Sequence, residues 1–314
     1  MRLGFAVKVL GKPGLKSNDS RRWKSGPHLR VSIGYLHEIF EYLAEQKIMM
    51  YRISSEIAPY ITHPDLPQFH DQIAECCEEL AALGEKARTL DLRLSMHPSQ
   101  YIVLNSPVES VYQASLRDFT YHADFLDALG LGPEAVIVTH GGGVYGDKPA
   151  AMDRFVERYK RLPESVLRRL VLENDEKSYS VPDVRAIHER TAIPLVVDNL
   201  HHAVNNPGNL SYREAVEGCL RTWRPGVRPK IHYSTPRTEE RIVSRRNRKS
   251  GEVTQVRAAP LASQHSDWVS TDEFVAFLGE TAHLAYDVML ETKLKDLALL
   301  RLRAELTGRG IDTR

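Results

Sequence analysis

Eight short apolar runs, each followed by a longer stretch of helical periodicity, constrain the fold of this 314-residue chain more than any other feature. The runs lie near 2–9, 48–53, 91–97, 135–140, 168–173, 194–198, 228–233 and 286–291. They read as strands because β-branched and apolar residues dominate them and Gly, Pro or Asp bounds them. The stretches near 31–46, 67–89, 108–129, 148–161, 181–190, 211–221, 270–284 and 293–307 read as helices. In the second, Ile73, Cys76, Cys77, Leu80, Leu83 and Ala87 share one face of a 3.6-residue period. Eight such alternations are what a (β/α)8 TIM barrel requires. The expected fold is therefore α/β, a single TIM-barrel domain over 1–314 with long loops after strands 1 and 7 on its C-terminal face. A doubly wound open sheet also alternates, but it gathers ligands at one switch point and does not explain polar residues at many strand ends.

Those polar residues carry the chemistry. The segments RLSMHP, AVIVTH, RRLVLEND, PLVVDNLHH, RPKIHYS and YDVMLETK deliver His97, His140, Glu173, Asp198, His201, His232 and Glu291 at or just past strand ends. One such histidine is ordinarily structural, and Pro98 or the Gly run after His140 can simply end a strand. Together they are costly to bury without a compensating cation. Nitrogen and oxygen donors without cysteine suit zinc, manganese or iron in a catalytic site. Seven donors exceed the needs of one ion, so about two or three are expected, the arrangement used for phosphoryl displacement. Asp198 and His201, three apart, share one face of a helical turn, whereas His202 points elsewhere. Lys230 stands two residues before His232 and so shares its inward face. A lysine beside metal ions either pairs with carboxylates or carries a modification.

Composition narrows the class. Hydrophobic residues make up 42% and charged residues 26%, enough for a sizeable core, and net charge is +1. Three cysteines, two of them adjacent, argue against a disulfide framework and for a reducing cytosol. The opening MRLGFAVKVLGKPG breaks too soon for a signal peptide, and no apolar run approaches the ~20 residues of a membrane span. The net charge hides two basic loops. One carries Lys12, Lys16, Arg21, Arg22, Lys24 and Arg30 around Trp23. The other carries Arg237, Arg241, Arg245, Arg246, Arg248, Lys249 and Arg257. A charge run is usually a solvated face. On the catalytic face of a barrel, binding to a phosphate backbone is the better reading. Gln100 and Tyr101, just past His97, lie at the rim, where they either pack the loop or wedge into a weakened base stack.

The motifs RLGF (2–5), RLSMHPSQY (93–101), HGGGVYGDK (140–148), LENDE (172–176), VVDNLHHAVNNPG (196–208), RPKIH (228–232) and MLETKLKD (289–296) closely resemble UV damage endonucleases. A more distant resemblance is to abasic-site nucleases of the endonuclease IV class. The first resemblance implies incision of the phosphodiester immediately 5′ of UV photoproducts, cyclobutane pyrimidine dimers and 6-4 photoproducts, leaving 3′-hydroxyl and 5′-phosphate ends. It implies up to three divalent ions, commonly manganese, with zinc, cobalt or magnesium as alternatives. His97, His140, Glu173, Asp198, His201, His232, His265 and Glu291 match the ligands, with Glu173 as the bridge and Asp267 as a further donor or supporting partner. Glu173 and Lys230 match catalytic positions, the lysine as one that the family can carboxylate. Phe5, Gln100 and Tyr101 match lesion-sensing positions, with Phe5 replacing a frequent tyrosine. The implied partner is UV-damaged duplex DNA. A monomer is expected because DNA must reach an open face, and a cytoplasmic location, with the nucleoid when bound, follows from the cysteine usage. A sugar isomerase or epimerase on the same barrel, and a damage-binding protein without cleavage, are the other readings.

Overall fold

The computed structural model describes residues 1–247 and 250–313. Seven barrel strands come first: β1 (Leu3–Ala6), β2 (Met50–Arg52), β3 (Arg93–Met96), β4 (Val136–His140), β5 (Leu170–Glu173), β6 (Leu195–Val196) and β7 (Lys230–Tyr233). A hairpin of β8 (Arg241–Arg246) and β9 (Val253–Ala258) precedes the last barrel strand, β10 (Asp287–Leu290). The eight barrel strands are parallel, in the order β6-β5-β4-β3-β2-β1-β10-β7. Between β6 and β7 the ring shuts through a parallel bridge of Asp198 to His232. There the His232 N–H donates to the Val197 carbonyl at 2.9 Å. The expected (β/α)8 barrel is found.

Helices α1 (Leu29–Glu45), α2 (Gln72–Glu75), α3 (Cys77–Thr89), α4 (Glu109–Ala128), α5 (Lys148–Tyr159), α6 (Glu164–Leu167), α7 (Val181–Thr191), α8 (Asn199–Val204), α9 (Tyr212–Leu220), α10 (Thr271–Thr281) and α11 (Lys295–Gly308) connect the strands. Side chains of β1, β3, β5, β7 and β10 are buried on both faces, so their sequences read as near-continuous runs rather than alternations. Helix starts are set locally: Ser180 with Asp183, and Ser211 with Glu214, form reciprocal capping boxes. No helix among the described residues is long and apolar enough to cross a membrane.

Charges at the other end of the barrel serve stability. Asp287, at the start of β10, is buried and accepts hydrogen bonds from Arg93 and Arg228, each at 2.9 Å. That ion network sits at the N-terminal ends of strands, the face that barrels use for stability.

Three expectations change. The helix expected over 67–89 is broken: a 3-10 turn at Pro67–Phe69, then α2, then α3. Cys76 lies between them at φ −115°, ψ 21°, outside helical geometry, and Cys77 is exposed rather than on the buried face. The loop after β7 contains the β8–β9 hairpin, antiparallel with Val243 opposite Val256. Strand 1 ends at Ala6, because Val7 turns to φ 66°, a conformation costly for a β-branched residue.

Candidate metal centre at the C-terminal mouth

The strand ends converge on Glu173. Its Oε2 lies 3.2 Å from His97 Nε2 and 3.7 Å from His140 Nε2. Its Oε1 lies 2.9 Å from His232 Nδ1 and 3.7 Å from His201 Nδ1. Glu291 stands beside it, with Oε1 3.3 Å from His232 Nδ1 and Oε2 3.6 Å from His265 Nε2. Asp198 caps α8, accepting from the His201 N–H at 2.8 Å, with its Oδ1 3.8 Å from His201 Nδ1. The i, i+3 spacing read from VVDNLHH thus places both groups at one helix start. The eight expected ligand side chains are brought into one mouth. Two sets have donor atoms close enough to share an ion: His97, His140 and Glu173, and Glu173, Asp198 and His232. Glu173 belongs to both.

Three of the five imidazoles have one nitrogen fixed by a neighbouring group, as ligating histidines do. His97 Nδ1 donates to the Pro98 carbonyl at 3.0 Å, which leaves Nε2 facing Glu173. His201 Nδ1 donates to the Asn174 carbonyl at 3.0 Å. His265 Nδ1 meets Ser234 Oγ at 2.7 Å, which leaves Nε2 toward Glu291. Asn174 also brackets Asp198, accepting its N–H at 2.9 Å and donating to its carbonyl at 3.2 Å. Asp198 Oδ2 is buried with no hydrogen-bond partner among the described residues, as are His140 Nδ1 and His232 Nε2. A buried carboxylate oxygen left without a donor is expensive unless a cation meets it. These residues therefore fit divalent ions.

The electrostatics agree. Burial opposes charge on Glu173, but His232 and His140, with hydrogen bonds from His232 and His97, hold it well below the usual carboxylate range. Burial likewise opposes charge on Glu291, and Arg52 and His232 outweigh it. Burial pushes His97 down to about 4, so it is the neutral imidazole that a metal needs. Burial also depresses His265. His201 differs: burial is overcome by Asp198, Glu173, Glu291 and Glu176, and its value rises to about 9. A proton held more tightly in the folded state stabilises the metal-free fold below the ordinary value of 6.5, and that contribution is lost as pH rises through about 9. A cation has to displace this proton. Apparent Mn2+ affinity should accordingly rise between pH 6.5 and 9, with proton release. Calorimetry in buffers of different ionisation enthalpy measures this, and identical heats in all buffers would contradict it.

Lys230 is fully buried and points inward, as its place two residues before His232 requires, and it donates to Ser95 Oγ at 3.0 Å. Burial, then Arg52 and Arg93, hold its ammonium form well below the ordinary lysine range. His202 faces away and meets the Leu210 carbonyl at 3.0 Å.

Other expected residues fall elsewhere. Gln100 and Tyr101 are exposed at the rim, Tyr101 with 75% of its surface free. Phe5 is not at the rim: it is fully buried and packs edge-on against Tyr51 at 5.4 Å. Asp267 is engaged by Arg241 rather than offered to an ion. Arg237 is buried and donates to the Ala259 carbonyl at 2.8 Å. Arg21 is engaged by Asp19 at 2.6 Å and Arg30 by Glu79 at 2.7 Å. Arg257 lies 3.7 Å from Glu240. Arg22, Lys12, Lys24, Arg245 and Arg246 remain exposed, and Arg248 and Lys249 lie outside the described residues. Arg52, at the end of β2, was not anticipated. Its guanidinium donates to Glu291 inside the mouth.

The fold and the site together define a class: a TIM barrel with a carboxylate–imidazole centre at its C-terminal face. The sequence profile of the UV-endonuclease UvdE family matches residues 30–313. The chain belongs to that family and is a DNA endonuclease. It is 34% identical over 274 residues to a UV DNA damage endonuclease of Bacillus velezensis, covering 86% of this chain and 79% of that one. It superposes on the crystal structure of SacUVDE with a TM-score of 0.80 at 31% identity, over 99% of both chains. A D-tagatose 3-epimerase-like protein shares the fold alone, with a TM-score of 0.58 at 14% identity over 98% of this chain and 96% of that one.

Proposed function

We propose that this endonuclease cuts duplex DNA at the phosphodiester immediately 5′ of UV photoproducts, cyclobutane pyrimidine dimers and 6-4 photoproducts, leaving 3′-hydroxyl and 5′-phosphate ends. The observation that carries the reading is the convergence of five imidazoles and Asp198 on Glu173 and Glu291. His97, His140 and Glu173 would hold one ion, Glu173, Asp198 and His232 a second. His201 and His265, whose rings lie 6.1 Å apart, would hold a third. Manganese is the preferred ion, with zinc, cobalt or magnesium as alternatives. When bound, such ions supply Lewis-acid stabilisation of the attacking and leaving oxygens of an in-line displacement.

The chain's own residues do the rest. Hydrogen bonds to Pro98, Asn174 and Ser234 fix three imidazoles before substrate arrives. Burial, with Arg52 and Arg93, shifts Lys230 toward the neutral amine, the form that adds to carbon dioxide, which supports its carboxylation in the loaded enzyme. Exposed arginines and lysines at the mouth suit a phosphate backbone. Tyr101 and Gln100 sense the weakened stack, so shape rather than sequence is read. The enzyme acts as a monomer. An abasic-site nuclease is the neighbouring reading. A sugar epimerase is disfavoured, because it needs neither the basic rim nor an exposed aromatic beside the site.

The test is nicking with Mn2+ of a UV-irradiated duplex, an undamaged duplex and one carrying an abasic site. Nicking 5′ of the photoproduct is expected. Cleavage confined to the abasic duplex, or none, would overturn the reading. In the same assay Tyr101→Ala should lower the preference for irradiated DNA by roughly 10-fold or more, since stacking contacts of this kind are worth about 1–3 kcal/mol.

A further inference from the structure

The imidazoles alone do not fix which oxygen of Glu291 faces which neighbour. Its carboxylate is flanked by His232 on one oxygen and His265 on the other. Either oxygen would serve an ion, and rotation of the carboxylate would exchange them. Arg52 removes that freedom. It ends β2 in register with Ala6 of β1 and Ser95 of β3, so the barrel wall fixes its backbone on both sides. Its side chain is 12% exposed and that of Glu291 13%, and the guanidinium donates to Oε1. Oε1 is thereby held on the side of His232, and Oε2 faces His265 Nε2 at 3.6 Å.

We infer that Arg52 is a positioning residue of the metal centre, fixing Glu291 by Oε1 so that Oε2 is presented to the ion beside His265. This rests on the metal-centre reading given under the proposed function. A plain structural ion pair would tie β2 to β10 wherever the carboxylate faced. Here β1 lies between those strands and hydrogen-bonds to both, so the sheet needs no such tie. The shared carboxylate lies among imidazoles instead. Partners that orient a ligand typically affect metal affinity about 10–100-fold.

Mn2+ titrations of the DNA-free protein, followed by electron paramagnetic resonance and calorimetry, provide the test. Arg52→Gln should weaken one class of bound Mn2+ at least about 10-fold and leave the others within about 3-fold. Arg52→Lys, which restores a charged donor, should recover part of that loss. In a double-mutant cycle Arg52→Gln should add nothing to Glu291→Gln, since it acts through that carboxylate. Circular dichroism and melting curves identify a variant that fails to fold, and Arg52→Lys then carries the comparison. If the wild-type protein binds Mn2+ and Arg52→Gln binds it equally, or if the double variant is additive, the role of Arg52 falls and the metal centre stands. If the wild-type protein binds no Mn2+, both fall.

Discussion

Replacing Glu173 with glutamine should lower single-turnover nicking of a UV-irradiated duplex by at least about 1,000-fold, the upper end for loss of one preorganised electrostatic contact. Glutamine keeps the shape and one acceptor oxygen. It loses the charge and the second acceptor, and Glu173 uses both oxygens, Oε2 toward His97 and His140 and Oε1 toward His232 and His201. Both candidate ion sites share this side chain, so its loss should disable both together. Binding to the duplex should persist, because the exposed basic residues lie outside the centre. Nicking within about 10-fold of wild type would remove Glu173 from the mechanism.

Chelation should lower the melting temperature by about 6 °C for each ion removed. An ion present at about 1,000 times its dissociation constant adds about 4 kcal/mol to the folded state. With an unfolding entropy of about 2.1 cal/mol/K per residue, 1 kcal/mol corresponds to roughly 1.5 °C in a chain of 314 residues. The loss should be steep, because the metal-free mouth leaves Asp198 Oδ2 buried without a partner among the described residues. Scanning calorimetry with Mn2+ and with EDTA makes the comparison. Coincident curves would mean that the ligand cluster is satisfied without ions.

The barrel and most of the mouth were readable because they rest on strong, repeated signals. Strands buried on both faces give apolar runs, and a His, Asp or Glu at the end of such a run is conspicuous. His265 had no such signal, since it lies in the loop connecting the hairpin to α10, and only the family resemblance marked it. Arg52 did have one. It follows Met49, Met50 and Tyr51 as His140 follows its own strand, but a guanidinium is a cation and donates to no metal. The hairpin is also legible, since RIVSRR and VTQVRA flank a turn-forming stretch, although their arginines equally fit a solvated basic loop. Phe5 is the opposite case: the motif implies a lesion-sensing role, whereas β1 is buried on both faces. Engagement of Arg30 and Asp267 by partners distant in sequence is invisible to any count of charges, as is the pairing of Arg21 with its near neighbour Asp19.

Strand β6 has two residues, and the ring beyond it is completed by Asp198 meeting His232. These residues also face the centre. Closing the ring and completing the candidate centre thus depend on the same pair of residues. A partly synthesised copy lacking β7 and β10 has neither a closed ring nor His232 and Glu291. An unfinished nuclease of this design carries no assembled blade into the vicinity of intact chromosomes.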